Sequence, residues 1–434
     1  MKSLRRTEGR YEGGSGEDSI SAPRGSRLSC WRGRKGKFQA EKRQPTGPGE
    51  SQNTKNNQDS RYLDPKLALS CCLVAAPPVS LRVHRPAARR ADASVGVGVA
   101  IVSYNTTYQT LRCLKSLRLL TMAPDWVLVL DNASRTDDLI RAIKVMPPYE
   151  VSDLRLYHSA VNLGFAEGCN RLIELLLAEP RCNAVILLNN DAVAMPCLVA
   201  CLTQAVMGPV VGLAGGRMHK LDAPDQVDTL GITLYASLMP ADRRALSDPY
   251  LGPTGGCAIL TRACLEDLRH SAGYWFDPRF FCYCEDTDLV IRAILLGYQP
   301  RFVDELLALH EGQASSGVEG THFIAYQGLR NSVWMLAKSI PWTLLIKYGP
   351  FLLLAHGLTI ARHLLAGNAG LLLAVYRDAL RGLPEIARER RRLRLGARAG
   401  APALEARMAR RFYRAGYVKL VLAQLGALYR RKGR

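Results

Sequence analysis

Between residues 95 and 191, short apolar runs alternate with amphipathic segments, and this alternation limits the fold more than any other feature. Four runs have the length and composition of buried strands: 97–102, 126–130, 154–157 and 184–188. Three segments between them have the apolar spacing of helices: 110–120, 137–145 and 165–178. Strands alternating with helices through short links predict an α/β fold with a mostly parallel sheet covered on both faces.

Polar residues follow three of the predicted strands, at the edge of the sheet where such folds bind ligands. Tyr104 and Asn105 follow the first strand and Asp131 follows the second. The Asp131 carboxylate is suited to accept hydrogen bonds from a ribose or a base, but Asp also caps helices well. Asn190 and Asp191 end the last strand, where a hard carboxylate oxygen suits Mg²⁺ or Mn²⁺ between two phosphates. An ordinary Asn-Asp turn explains that pair equally well.

A glycine-containing loop runs into the helix at 165–178. Asn162, Gly164 and Asn170 lie in this loop and the start of the helix. Glycine permits a tight turn with close approach of the backbone to a ligand. A purely structural turn is an equally good interpretation.

Residues 276–289 combine an aromatic run with three carboxylates: Glu285, Asp286 and Asp288. Apolar rings raise the pKa of a nearby carboxylate, whereas a helix N-terminus lowers it, so a carboxylate here is a candidate general base. Favourable interaction with the helix dipole explains Asp288 well and the other two less well. His310, which follows a second apolar run, is a candidate metal ligand when it is considered with this segment.

Seven segments in order resemble the family 2 inverting glycosyltransferases with the A-type nucleotide-sugar fold, notably the bacterial rhamnosyltransferase-like branch. They are Ile-Val-Ser-Tyr-Asn-Thr at 101–106, Asp-Asn-Ala-Ser at 131–134, Asn-Leu-Gly-Phe at 162–165, Leu-Leu-Asn-Asn-Asp at 187–191, Gly-Gly at 255–256, Cys-Glu-Asp-Thr-Asp-Leu at 284–289, and His310. The resemblance covers residues 95–315, about half of the chain.

The resemblance implies a role for each matching position. Asp286 matches the general base, with Glu285 as its neighbour, and Asp191 and His310 match groups that hold the metal. Asn189 stands where the family has the first acid of its Asp-x-Asp motif, which implies weaker metal binding. The implied nucleotide-sugar contacts are Tyr104, Asn105, Asp131, Asn162, Gly164, Asn170, Asn190, Gly255 and Gly256.

The implied activity is metal-dependent, inverting transfer of a sugar from a nucleoside diphosphate, with Mg²⁺ or Mn²⁺ as cofactor. The leading donor is dTDP-rhamnose, and the acceptor is a hydroxyl of a glycan or lipid-linked glycan in cell-surface polysaccharide synthesis. The alternative is a catalytically weak or inactive relative that acts as a membrane-associated assembly or binding protein. The Asn at position 189 favours this alternative, whereas Asp191, Asp286 and His310 argue against it.

Sequence pattern and charge together divide the chain into three regions. Residues 1–94 carry 19 basic and 9 acidic side chains, lack periodicity, and are expected to be a disordered region or an upstream extension of the natural start. Residues 95–330 are the expected catalytic domain, and 331–434 are helical and basic. Because the excess charge lies in the tails and no nucleic-acid module is present, a nucleic-acid partner is not expected.

Two charge-free apolar stretches near the C-terminus, 348–361 and 363–376, are each shorter than the roughly 20 residues that span a bilayer. Arginines follow them at 388–394, a pattern typical of attachment to an anionic membrane surface. We therefore expect a cytoplasmic protein held peripherally on the inner face of the plasma membrane, with a helical subdomain packed on the core as the alternative. The twelve cysteines lack disulfide or zinc spacing and are expected to be reduced thiols.

Overall fold

The computed structural model describes residues 79–82, 96–147, 149–150, 152–312, 321–417, 419, 421–424 and 426. All of them belong to the second of the two units into which the chain divides, Tyr62–Arg434. The disorder expected for residues 1–94 lies outside the described residues except at Val79–Arg82, which form a strand.

The first half of the described chain alternates strands and helices as predicted. Its elements are β1 Val79–Arg82, β2 Gly96–Ser103, α1 Thr107–Leu117, β3 Trp126–Asn132, α2 Asp138–Val145, β4 Asp153–Ser159, α3 Gly164–Leu177 and β5 Cys182–Leu188. Every strand and helix expected from the apolar spacing between residues 97 and 188 forms close to its predicted position.

The second half adds strands to the sheet and then turns helical. Its elements are β6 Ala192–Ala194, α4 Leu198–Ala205, β7 Leu213–Lys220, β8 Val227–Thr229, β9 Ile232–Tyr235, β10 Pro240–Asp242, β11 Cys257–Thr261, α5 Arg262–Ala272, a 3₁₀ turn at Pro278–Phe280, α6 Glu285–Leu295, β12 Pro300–His310, α7 Thr321–Ser339, α8 Trp342–Leu365, α9 Ala369–Gly396, α10 Ala401–Glu405 and β13 Met408–Ala409.

The main sheet has the strand order β1-β4-β3-β2-β5-β11-β7-β12-β6, with β8 paired to β7. Strands β4, β3, β2 and β5 are parallel, and antiparallel pairs lie on both sides of them. Ser103 at the end of β2 lies opposite Asp131 at the end of β3, so the carboxyl ends of the parallel strands share one edge. The predicted α/β fold is confirmed.

Alternating side chains of the parallel strands fill a core on each face of the sheet. On β3, Leu128 and Leu130 pack on the side of α3, α5 and α6, whereas Val127 and Val129 pack on the side of α1, α2 and α4. All four are fully buried. This two-sided burial explains why the strands are continuous apolar runs. Each cysteine within the described residues is a free thiol, as expected.

The C-terminal helices pack on the sheet domain. Trp334 and Met335 of α7 belong to the core, and the indole N–H of Trp334 donates to the carbonyl of Ala379 on α9 at 2.9 Å. Strand β13 pairs with β9 in a separate three-stranded sheet. The described part of 331–434 is therefore joined to the domain that precedes it, as the alternative interpretation held.

Helix α8 is the one described helix that is long and apolar enough to cross a membrane, judged by length and composition alone. The expectation that no apolar stretch reaches spanning length is wrong, because the helix continues through Lys347 and Arg362, beyond the charge-free runs. Its exposed apolar residues include Trp342, Ile346 and Leu353, which are 52%, 77% and 74% exposed. At 100° per residue these three lie within about 40° of one another around the helix axis.

Candidate active site

The carboxyl ends of β2, β3 and β5 are tied together by short polar contacts. The backbone N–H of Asn105 donates to Oγ of Ser134 at 2.9 Å, and Asn105 has a left-handed φ of 56°. Asn190 donates its amide N–H groups to the hydroxyls of Thr106 and Thr110. Asn190 is buried, and its amide nitrogen joins the end of β5 to α1. Its contact with the nucleotide sugar stays a prediction.

Asp131 lies below the surface of this edge. Its side chain is fully buried, Oδ2 lies 3.0 Å from Nδ1 of His158, and Oδ1 accepts a hydrogen bond from the N–H of Ser134. The His158 side chain is 33% exposed. His158 thus presents an accessible polar group beside the buried Asp131 carboxylate, and a direct contact between Asp131 and the nucleoside stays a prediction.

The loop before α3 is held against the segment that carries the acidic cluster. Asn162 Oδ1 accepts from the N–H of Gly164 at 2.9 Å and from Nδ2 of Asn132 at 3.0 Å. Gly164 has a φ of 72°, and a Cβ there would lie 2.6 Å from the carbonyl oxygen of Phe281. The glycine is needed both for its left-handed backbone and for this close approach.

Asn170 acts as a bridge between α3 and the aromatic segment. Its Nδ2 donates to the carbonyl of Phe276 at 2.8 Å, and its Oδ1 accepts from the N–H of the same residue at 2.9 Å. The side chain is buried, and Glu167 takes a further hydrogen bond from Nδ2. Asn170 therefore positions residue 276 and is not available as the nucleotide-sugar contact predicted from the sequence.

Asp191 and His310 meet as the sequence implied, and Asp228 joins them. His310 Nε2 lies 3.1 Å from Oδ1 of Asp191, and its Nδ1 lies 2.7 Å from Oδ2 of Asp228. Asn189 Nδ2 is 3.2 Å from the same Nε2. Burial disfavours the charged imidazole, but the hydrogen bonds and charges of the two carboxylates outweigh it and raise the pKa of His310 to about 10.

The three carboxylates at the start of α6 have different surroundings. Asp288 is fully buried and paired with Arg292 and Lys338. Glu285 is 6% exposed, and its Oε2 has no hydrogen-bond partner within the described part of the chain. Asp286 is only partly buried. Of the three, Asp286 is thus the carboxylate that a bound molecule can reach most readily.

Gly255 and Gly256 connect Asp286 to the group around His310. The N–H of Gly255 donates to Oδ2 of Asp286 at 3.2 Å, and the carbonyl of Gly256 accepts from the N–H of Asn189 at 2.9 Å. A Cβ on Gly256 would lie 3.1 Å from Nδ2 of Asn189. The two glycines therefore link Asp286 to Asn189, whose side chain contacts His310.

Helix α7 fixes the backbone that leads into α6. Nδ2 of Asn331 lies 2.8 Å from each of the carbonyl oxygens of Phe280, Cys282 and Tyr283. The loop residues Phe281, Tyr283 and Cys284 all have positive φ, a conformation that costs a non-glycine residue about 1–3 kcal/mol. Asn331 is fully buried, so it helps to keep this strained loop in place.

The chain was compared with known families and proteins. Residues 98–269 match the model of Glycosyl transferase family 2. The chain thus carries a glycosyltransferase domain that matches this model over about two fifths of its length. Its match extends from β2 to α5, so it includes Asp131, Asp191 and both central glycines.

The glycosyltransferase is 27% identical over 286 residues to the N-acetylglucosaminyl-diphospho-decaprenol L-rhamnosyltransferase of Mycobacterium tuberculosis, strains CDC 1551 and H37Rv. That match covers 57% of this chain and 88% of the relative. Among solved structures it is similar to the mannosyltransferase PcManGT from Pyrobaculum calidifontis in complex with GDP-Man and Mn²⁺, at 15% identity and a TM-score of 0.42, covering 76% of this chain and 92% of that one. It is also similar to GalNAc-T7 with UDP, GalNAc and Mn²⁺, at 14% identity and a TM-score of 0.43, covering 61% and 51%.

In the glycosyltransferase, burial determines the protonation of the neighbouring acids. Burial and the charge of Asp286 raise the pKa of Glu285 well above its usual range. Burial also raises the pKa of Asp286, although the N–H groups of Gly255 and Thr287 oppose the shift. Hydrogen bonding to the carboxylate form therefore keeps Asp286 better suited than Glu285 to act as a base.

Three residues of the site were missed from the sequence. Asp228 and His158 are single polar residues on or near strand ends, with no motif of their own, and their partners are 82 and 27 residues away. Asn331 lies in α7, beyond the family match. Of the three, only Asn331 could have been found from the sequence. An amide among apolar residues of a predicted helix is expected to be buried and therefore to need hydrogen-bond partners.

Proposed function

We propose that this glycosyltransferase transfers a sugar from a nucleoside diphosphate to an acceptor hydroxyl in a single displacement, with Asp286 as the general base. One observation carries the proposal: the accessible carboxylate of the acidic cluster is joined through Gly255 and Gly256 to the Asp191–His310 pair. This arrangement suits a sugar held between a basic group and the site of a departing diphosphate.

In the proposed reaction Asp286 accepts the proton of the acceptor hydroxyl. The oxygen forms a bond to the anomeric carbon while the bond to the diphosphate breaks, and the electron pair leaves with the diphosphate. Because attack comes from the face opposite the leaving group, the anomeric configuration inverts. A covalent carboxylate intermediate is not required, which agrees with a single accessible carboxylate in the cluster.

Asp191 and His310 fit a divalent metal ion as a pair of ligands. They offer one carboxylate oxygen and one imidazole nitrogen, while Asp228 holds the other ring nitrogen, as carboxylates do for metal-bound histidines. Within the described residues no cluster of three or more side chains is suited to hold a metal, so diphosphate oxygens and water would complete the coordination. Bound there, Mg²⁺ or Mn²⁺ would neutralise charge on the departing diphosphate.

The proposed donor is dTDP-rhamnose and the proposed acceptor a lipid-linked glycan of cell-surface polysaccharide synthesis. The mycobacterial relative, which this chain matches over 88% of that protein's length, is named for rhamnosyl transfer to N-acetylglucosaminyl-diphospho-decaprenol. Tyr104, Asn105 and His158 at the sheet edge are the proposed nucleoside contacts.

We place the enzyme at the inner face of the plasma membrane, held by α8. Leu344, Ala355 and Thr359 are buried against the rest of the protein, while Ile346 and Leu353 are exposed on the other side. A helix anchored to the domain by a few buried residues on one face, with apolar residues exposed on the other, suits a position in the membrane interface. Residues 377–434, with 17 basic and 4 acidic side chains, favour an anionic surface.

The test is release of dTDP from dTDP-rhamnose by the purified protein, with and without Mn²⁺. We expect metal-stimulated release that Asp286→Asn lowers by a factor of about 10²–10⁴. Asp304→Asn, an exposed carboxylate away from the acidic cluster, is the control and should keep wild-type activity. Binding of the donor without any release, at every metal concentration, would instead support the inactive binding protein.

A further inference from the structure

A cavity of about 580 Å³ lies beneath the start of α8. Its walls come from α6, α8, α9 and α10 and include apolar groups such as Leu296, Ile340 and Leu344. Arg292, which lies in the wall, is six residues after Asp286 on α6 and therefore points from a different face of that helix. The cavity is thus separate from the proposed catalytic base.

Arg390 brings an uncompensated positive charge to this cavity. It is 6% exposed, and its Nη atoms donate to the backbone carbonyls of Ala337 and Ile340 at 2.8 and 2.7 Å. Its Nε is buried without a hydrogen-bond partner in the described structure, and the guanidinium lies over the ring of Trp342 at 4.2 Å. Burial and the nearby Arg394 both lower the pKa of Arg390, and no carboxylate opposes them.

The start of α8 adds to this positive potential. Arg292 also lines the cavity, but Asp288 neutralises its charge. The first turn of α8 contributes the positive end of a helix dipole, and no acidic side chain occupies that turn. The acidic residue in the wall, Glu405, is already bound by Lys347 and Tyr348. The cavity therefore has hydrogen-bond donors and positive charge to offer an anion.

The apolar part of the wall indicates what kind of anion fits. The cavity is large for a lone phosphate, and the exposed apolar face of α8 begins at its rim with Trp342. From there the face continues through Ile346 and Leu353. A molecule with a phosphate at one end and hydrocarbon at the other would complement both the charge of Arg390 and this apolar track.

We propose that the cavity binds the phosphate of a membrane lipid, whose hydrocarbon chain runs along the exposed face of α8. The positive charge of Arg390 and the first turn of α8 hold the phosphate. Arg394 at the rim adds a further charge. Such binding fixes the orientation of the enzyme on the membrane and does not depend on the identity of its sugar donor.

The test measures binding of dihexanoyl phosphatidic acid, a lipid that dissolves as a monomer, to the full chain by titration calorimetry. Inorganic phosphate and dihexanoyl phosphatidylcholine are the comparison probes. We expect the phosphatidic acid to bind at least about tenfold more tightly than inorganic phosphate, because only the lipid fills the apolar wall. Equal affinity for both would assign the cavity to free phosphate and overturn the lipid proposal, as would the absence of phosphatidic acid binding.

Two variants locate the binding in the cavity. Ala399→Phe fills the space without changing charge and should abolish binding of the lipid. Arg394→Glu should weaken it by about tenfold, as expected for loss of one charged phosphate contact. Arg388→Glu makes the same charge change at an exposed position of α9 outside the wall, and should leave the affinity within about twofold. Equal losses from both arginine variants would show general surface attraction and refute a built site.

Discussion

Replacing Asn331 by Asp tests whether α7 positions the catalytic loop. The substitution keeps the shape of the side chain but removes the Nδ2 donor that faces the carbonyls of residues 280, 282 and 283. No cavity forms, and Oδ1 still accepts hydrogen bonds from Arg330, so the effect combines the lost hydrogen bonds with repulsion between the new carboxylate oxygen and the three carbonyls. The loop residues with positive φ would then lose the contact that holds them.

The expected size of the effect follows from the number of groups left without a partner. An amide nitrogen carries two N–H groups, and each buried carbonyl that loses its donor costs about 1–3 kcal/mol. Two such losses amount to about 2–6 kcal/mol, which lies below most of the usual range of about 5–15 kcal/mol for the stability of a domain, so the variant should fold. Displacement of the base by about 1 Å is sufficient to lower turnover by about 10²-fold.

The assay compares kcat with donor affinity. Asn331→Asp should lower kcat by about 10–10²-fold while the dissociation constant of the donor stays near the wild-type value, because in the described part of the chain the proposed diphosphate site at Asp191 and His310 makes no contact with Asn331. The control is Leu139→Ala on α2, which destabilises the opposite core by a similar amount, about 2–5 kcal/mol. If that control lowers kcat equally, or if Asn331→Asp leaves kcat unchanged, the positioning role is refuted.

Three further predictions follow from the site and the surface. Asp228→Asn should weaken Mn²⁺-dependent donor binding by about 10–100-fold through His310, and calorimetry with an unchanged affinity would exclude this role. Glu285→Gln should raise Tm at about pH 8 and have less effect near pH 5. Folding raises the pKa of Glu285, so its burial costs stability increasingly as pH rises above the pKa of the unfolded chain. A difference in Tm between variant and wild type that stays constant with pH would contradict this. Ile346→Glu should reduce binding to anionic vesicles by about tenfold or more in flotation assays, whereas Val145→Glu, equally exposed on α2, should not; equal losses would argue against the α8 face.

The parallel part of the fold was predictable because its strands are buried on both faces. Runs such as 97–102 have one pattern compatible with that burial, and β2 and β3 formed where the apolar residues lie. Strand β11 is also a buried apolar run, but it is short, and β7, β8 and β10 lack such runs, so the pairing of these strands depends on long-range contacts that spacing does not reveal.

The site was predictable where residues act through their own motif. Asp191 and His310 were expected together and lie together, and Asp286 is accessible. Asn170 and Asn190 have the same residue type as a ligand contact, but their amides bond inside the protein. The sequence does not distinguish an amide that binds a ligand from one that bonds within the protein, because the fold determines which groups lie beside it. The burial of Asp131 beneath His158 has the same origin.

The extent of the C-terminal helices was misjudged for a different reason. Counting charge-free residues ends a run at Lys347 or Arg362, but a helix tolerates such side chains when their charged ends reach water. The role of these helices in the core was also not evident from the sequence. Lys338 lies in an apolar stretch of the sequence, yet it is buried and pairs with Asp277 and Asp288. Because α7 supplies Asn331 and Lys338, removing the C-terminal region is expected to damage the catalytic domain itself.

The anomeric configuration of the product tests the central claim most directly. The full-length enzyme is incubated with dTDP-rhamnose, a lipid-linked glycan acceptor and Mn²⁺, and the product is examined by proton NMR beside the Asp286→Asn variant. We expect a product with the configuration opposite to that of the donor, and none above about a hundredth of the wild-type amount from the variant, which should still bind donor. A product with retained configuration, or turnover by Asp286→Asn above about a tenth of wild type, would contradict single displacement with Asp286 as the base.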